Sequence, residues 1–322
     1  MKNTCFQERK AFARFAALYL GLVSSHRCGM TDQTKGLLIT FFGVLFVVPD
    51  SLFVRLIDAD AWTVAFWRLL LAGGLTALWL LARGGTAQFR AVLSAGPYGL
   101  IYMLSVGGSG VLFVVAVSLT SIANVVFIIA SLPVFAAIFS RIFLGEPLST
   151  RVLLTIAAVV PGLAIIAYGS GETQNANLSG DLLALCVSAL FAAGLTAARR
   201  VRTVSMVPGV AMGYLAAAFL ILPLAQPLDV PVAQAPLVMG HAFVILFSSV
   251  LLALGPRYIT SAEVGLLVLL ESVLAPLLAW AVIGEEPGNA TLLGGAIVVG
   301  ALLVSNVVLL RRQRRRAMRG QV

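Results

Sequence analysis

Ten apolar stretches run along the chain, near residues 36–57, 62–82, 97–117, 122–142, 152–169, 181–198, 206–226, 236–255, 261–283 and 290–310. Short turns bearing Gly, Pro, Asn or Asp separate them. About 20 residues of helix cross the hydrocarbon core of a bilayer. Lipid offers the backbone no hydrogen-bond partner, so spans of this kind are helices. The pattern predicts an all-α membrane protein of ten transmembrane helices, each antiparallel to the next.

Composition agrees. Of the 322 residues 60% are hydrophobic and 11% charged, and the mean hydropathy is +1.01. A soluble domain carries about 25% charged residues, so this chain has too few to cover a water-exposed surface. The net charge of +9 suggests nucleic acid until its positions are read. Arg311, Arg312, Arg314, Arg315 and Arg316 directly follow an apolar span, where anionic lipid headgroups on the cytoplasmic side are the fitting partner. Cys5, Cys28 and Cys186, with His26 and His241, form no metal-ligand or disulfide spacing. No cofactor is expected.

Lysine and arginine fix the orientation. With the N-terminus inside, all but Arg55 and Arg68 of the 22 basic residues fall in cytoplasmic turns or tails. Arg55 and Arg68 lie within spans, and Arg55 is close enough to the outer end to snorkel to the headgroups. The outer turns carry Asp58, Asp60, Glu172, Asp181, Asp229, Glu285 and Glu286 instead. One missed span would destroy this alternation. The expected setting is a bacterial inner membrane with both termini cytoplasmic. Residues 11–25 are apolar but short. They read as an interfacial helix or a signal-like segment; alternatively, Met30 is the true start of the chain.

A shift of 139 residues lays Ala123 on Ala262, Ala136 on Ala275, Gly145 on Gly284, Glu146 on Glu285 and Ala157 on Ala296. A shift of 144 lays Gly36 on Gly180. The chain therefore divides into a cytoplasmic segment (1–34), a first five-helix repeat (35–170), a second (171–310) and a basic tail (311–322). Five is odd, so the two repeats have inverted topology, a design used by carriers that expose a midplane site alternately to each side.

These features resemble the drug/metabolite transporter superfamily, in its EamA-type members with two five-helix repeats. The resemblance covers residues 36–310. It rests on Pro133 through Leu144-Gly145-Glu146-Pro147, on Leu270-Glu271-Ser272-Val273-Leu274-Ala275-Pro276 running to Ile283-Gly284-Glu285, and on Phe66-Trp67-Arg68. Such proteins often place an arginine in the second span. Two departures stand out: Val48-Pro49-Asp50 where members often have Trp-Gly, and Ser272 where many have proline. The resemblance implies a transporter rather than an enzyme, with substrates such as amino acids, nucleosides, drugs or phosphorylated metabolites, commonly exported.

Ionisable groups inside spans are costly and are functional candidates. Asp50 and Arg68 each lie about 10 Å from the outer ends of the first and second spans, at matching depth, so they can pair. Arg68 is a candidate to bind a substrate carboxylate or phosphate through its planar fork. Asp50 is a candidate to bind an amine, to hold Arg68 when the site is empty, or to carry a proton. Glu271 lies near the midplane of the ninth span with few neutralising charges nearby, and is the other substrate-binding and proton-coupling candidate. Tyr102 and Trp280 are candidates for the cavity wall, with Asn124, Tyr258 and Glu263 behind them. Pro49, Pro133 and Pro276 are candidate hinges, since proline removes a helix hydrogen bond. Glu146 and Glu285 suit helix termination. A structural role stays open beside each: a plain Asp50–Arg68 ion pair, and a protonated Glu271 bonded to a neighbouring helix.

The expected function is a secondary transporter of amino acids or related small solutes, exporting by alternating access. A non-transporting membrane scaffold is the alternative. A third reading starts from Gly107-Gly108-Ser109-Gly110, which matches the pattern of rhomboid-type intramembrane proteases, with His241 as base. Ser109 and His241 differ in depth by about 6 Å, which argues against it. Gly294, Gly295, Ala296 and Gly300 form a small-residue face that can pack internally or against a second copy, leaving monomer and homodimer both open.

Overall fold

The computed structural model describes residues 32–145, 148, 150–169, 177–201, 203–255, 258–259 and 261–319. The expectations for residues 1–29, Glu146, Glu172 and the Glu263 side chain lie outside the described residues, as do those for the side chains of the basic tail beyond Arg311. Every regular element described is helical. In chain order these are α1 (Asp32–Val47), α2 (Asp50–Leu56), α3 (Ala61–Gly84), α4 (Ala87–Ser94), α5 (Pro97–Leu119), α6 (Ile122–Ile129), α7 (Leu132–Leu144), α8 (Thr150–Gly169), α9 (Leu178–Arg200), α10 (Val207–Ile221), α11 (Ala235–Leu254), α12 (Ser261–Ile283) and α13 (Asn289–Arg319).

Eight helical stretches among the described residues are long and apolar enough to cross a membrane, counting α1 with α2 and α6 with α7 as one stretch each. Two further apolar helical stretches, Val207–Ile221 and Leu267–Ile283, are shorter. The seventh apolar run therefore ends about five residues early. Leu222 keeps helical backbone angles, but Pro223 comes next and has no N–H to carry the hydrogen-bond ladder on from Phe219.

Two other prolines mark interruptions. Val48 and Pro49 form a turn between α1 and α2, and Ala130 and Ser131 separate α6 from α7 just before Pro133. Pro276, in contrast, sits inside the continuous helix α12. Gly145 and Gly284, aligned by the 139-residue shift, end α7 and α12 with the same left-handed backbone, φ 70° and 69°. An L side chain is strained there, so glycine closes both helices.

The main helix contacts pair early with late elements: α5 with α9 and α10, α8 with α13, α3 with α10, and α1 with α11. Glycine makes two of these approaches possible. A Cβ on Gly107 would strike the Gly213 carbonyl, and a Cβ on Gly213 would strike the Met103 carbonyl. Gly162 and Gly294 meet in the same way between α8 and α13, while Gly295 receives the Phe127 ring. Small residues let membrane helices approach backbone to backbone. Gly294 and Gly295 are thus used inside the bundle.

Candidate functional site

The break at Pro49 starts α2 on Asp50, and this sets the centre of the site. Asp50, Arg68 and His241 are 2%, 5% and 1% exposed. Arg68 donates to Asp50 through two parallel bonds, Nε to Oδ1 at 3.0 Å and Nη2 to Oδ2 at 2.6 Å. Its remaining arm donates from Nη1 to the Gly110 carbonyl at 3.2 Å. Gly110 has no side chain to hold the guanidinium away; a Cβ there would meet Leu69 and approach Arg68. The guanidinium carbon lies 5.5 Å from the centre of the Phe113 ring. A planar cation is well suited to this combination of fork and ring contact.

His241, from α11, brings Nε2 to 2.6 Å from Asp50 Oδ1. Its ring stacks on Phe53, with centroids 5.5 Å apart and planes 10° from parallel. One carboxylate therefore holds two partners, an arginine from α3 and a histidine from α11. The sequence offers His241 only as a base for Ser109. Its link to Asp50 spans 191 residues and has no local signature.

Glu271 is partly buried on α12 and lies within electrostatic reach of both Asp50 and Arg68, without a bond to either. Tyr214, on α10, stands beside Arg68 where both come up to Gly110, and nothing in the sequence singled it out. The other wall candidates are placed elsewhere. Tyr102 is buried against Gly209 and Gly194, two helical turns along α5 from Gly110. Trp280 is 52% exposed and shares an outward face of α12 with Val273 and Leu277. Its indole donates to Glu286 Oε1 at 3.4 Å. The inward face of α12 carries Ser272, Ala275 and Ala279, so helical phase turns Trp280 away from Asp50. Tyr258 lies under the Lys35 ammonium, 5.1 Å from its ring centre, at the opposite end of α1 from Asp50.

A second polar cluster closes the end of the bundle where α2, α5 and α12 finish and α6, α9 and α13 begin. Glu285 Oε1 accepts from the Ile122 backbone N–H at 2.6 Å, at the start of α6. Its Oε2 lies 3.3 Å from Arg55 Nε, and Arg55 Nη2 donates to the Thr120 carbonyl at 2.8 Å. Deeper in, Asp181 Oδ1 accepts from Thr120 at 2.8 Å and from Asn124 at 3.1 Å. Thr291 donates to Asn124 Oδ1 at 2.6 Å. Arg55 is therefore held by protein groups, rather than extended to headgroups. Glu285 terminates no helix of its own; it caps a helix from the other half of the chain.

The protease arrangement is not assembled. Ser109 donates to the Val106 carbonyl of its own helix at 3.1 Å, and His241 is engaged by Asp50. Among the described residues the two are not bonded to each other.

Buried ionic groups inside a bundle of apolar spans define a multi-pass membrane protein with a polar interior. Residues 34–168 and 178–307 each match the EamA-like transporter family, and the chain belongs to that family, consistent with the drug/metabolite transporter superfamily. Its members are membrane transporters of small solutes rather than enzymes. A search of curated proteins finds no match. One solved crystal structure, described only as that of a protein, aligns over 87% of this chain and 99% of its own, with TM-score 0.60 and 20% identity. That likeness concerns the fold.

Proposed function

We propose that the protein is a secondary carrier for amino acids or related small organic solutes, working by alternating access and exporting across a bacterial inner membrane. The observation that carries the reading is the enclosed, bidentate Asp50–Arg68 pair. A fork that holds one carboxylate can exchange it for the carboxylate of a solute, while Asp50 turns to the solute's amine or to His241. Glu271 stands near enough to sense either charge.

Ten spans in two inverted halves fit the chain's course. The first matched segment starts at the end where Lys35 covers Tyr258. The second starts at the other end, where Gly180 abuts Thr120. Their first helices thus run in opposite directions, which supports the inversion. The basic turns favour both termini in the cytoplasm, with the Arg55–Glu285 cluster then at the outer end. In this arrangement the cluster, which ties the two halves together, keeps the outer end shut, and outward opening must separate Arg55 from Glu285 and Asp181 from Asn124.

A scaffold without a transport cycle draws on the same pair, because Arg68 and Asp50 satisfy each other without a ligand. Counterflow in liposomes separates the two. The carrier reading expects purified protein to accelerate exchange of at least one labelled solute from a panel of amino acids and small carboxylates. A flat response across the panel would count for the scaffold.

A further inference from the structure

His241 makes a contact that an ion pair does not need. Asp50 already has a full counter-ion in Arg68, bonded through both oxygens. Yet Oδ1 also takes a histidine nitrogen at 2.6 Å, in a site closed to water. With the imidazole neutral, its Nε2–H donates to Asp50, Nδ1 carries the lone pair, and the three groups together carry no net charge.

Consider a solute with an anionic group and no amine arriving at Arg68. Once the fork turns to the solute, Asp50 is left as a second anion without a counter-ion. An uncompensated buried charge is strongly unfavourable. A proton added at Nδ1 removes the problem: the imidazolium keeps its Nε2–H on Asp50 and becomes its counter-ion. Imidazole is the side chain whose ordinary titration lies near neutral pH.

The surrounding charges leave this role to few groups. On the elements packed against α11, the charged or titratable groups facing His241 are Asp50 at the start of α2 and Arg68 on α3; Tyr214 on α10 stands beside Arg68. Arg55, also on α2, is occupied by Glu285 and the Thr120 carbonyl. Lys35, on α1, sits about 22 Å along the helical path from Asp50. Glu271, on α12, reaches the cluster only through space.

We infer that His241, acting on Asp50, takes up one proton for each anionic group that binds Arg68, so that solute and proton enter the site together. The inference rests on the carrier reading and adds the coupling ion and the charge class of the solute; because solute and proton then move the same way, export runs down the solute's own gradient and carries a proton outward with it. The balance is complete. A proton from the aqueous phase forms the Nδ1–H bond, the two Arg68–Asp50 bonds break, and two bonds from Arg68 to the solute form. Release on the far side reverses each step.

The test uses the full chain in liposomes loaded with the pH dye pyranine. The outside receives a mixture of small carboxylates without amines, with counterflow of the same labelled mixture followed in parallel and protein-free liposomes setting the level of passive acid entry. The inference expects solute-driven internal acidification by the wild type, and a transport rate that falls about tenfold as the pH is raised through the imidazole range. His241→Gln, whose amide can still donate to Asp50, should lose the acidification and flatten the pH profile. Acidification retained in His241→Gln, or lost in Glu271→Gln alone, would overturn the inference while leaving the carrier reading intact. Absence of wild-type counterflow would defeat the carrier reading itself. Should His241→Gln fail to insert, proton uptake by wild-type protein in weakly buffered detergent decides. One proton per anion bound supports the inference, and none overturns it.

Discussion

Arg68 and Asp50 meet in a fork-to-fork geometry, Nε on Oδ1 at 3.0 Å and Nη2 on Oδ2 at 2.6 Å, across the turn that joins α2 to α3. Both are buried, so removing one partner strands the other. Arg68→Ala should destabilise the folded protein by roughly 3–5 kcal/mol. Asp50→Ala added to it should recover part of that loss. Unfolding in detergent, followed for both single variants and the double, measures the coupling. A double variant as unstable as the sum of the singles would show that the two residues do not depend on each other.

Arg68→Lys should not substitute. A lysine offers a point charge and cannot make two parallel bonds to a carboxylate while also reaching the Gly110 carbonyl. The expected result is normal insertion with transport reduced at least about tenfold, since one bidentate contact carries charge-assisted bonds. Equal transport rates in the wild type and Arg68→Lys would remove the case for planar recognition.

The Arg55–Glu285 contact predicts a change in accessibility. With Cys5, Cys28 and Cys186 replaced by serine, a cysteine put in place of the buried Val125 reports on the space beneath the cluster. Glu285→Ala removes both the Arg55 partner and the cap on Ile122, the latter worth about 1 kcal/mol. A thiol reagent confined to the outside should then label Val125→Cys several-fold faster. Exchanging the pair, as Arg55→Glu with Glu285→Arg, should slow labelling again. Labelling unaffected by Glu285→Ala would mean that the cluster does not control this end.

Gly213→Val tests the close approach of α5 and α10. The new side chain would press on the Met103 carbonyl, and overpacking of this kind costs about 1–3 kcal/mol. Reduced thermal stability is expected. An unchanged melting temperature would contradict the contact.

Much of this was legible in the residues, for physical reasons that also mark the limit. Lipid leaves an apolar run little choice but helix, so the helical segments could be read from hydropathy. Asp50 and Arg68 could be matched because a short turn fixes their relative depth. Gly145 and Gly284 could be aligned because both helix ends need the same left-handed residue. The partners of Glu285 could not be found this way. Ile122 and Arg55 come from distant segments, and only the folded bundle brings them together. The same holds for Asp181 with Asn124, and for His241 with Asp50. Helical phase sets Trp280 on the outward face of Val273 and Leu277, and which face of α12 points inward is fixed only by its neighbours in the bundle. The α10 boundary moved because Pro223 and Pro227 stop the helix before the apolar run ends.

The most direct test of the account is solute counterflow by Arg68→Ala beside the wild type, at equal amounts of folded protein in the bilayer. The account predicts clear exchange by the wild type over protein-free liposomes, and a loss of at least about tenfold in the variant, as expected when a charge-assisted contact to the solute is removed. Full-rate exchange by correctly inserted Arg68→Ala would contradict it.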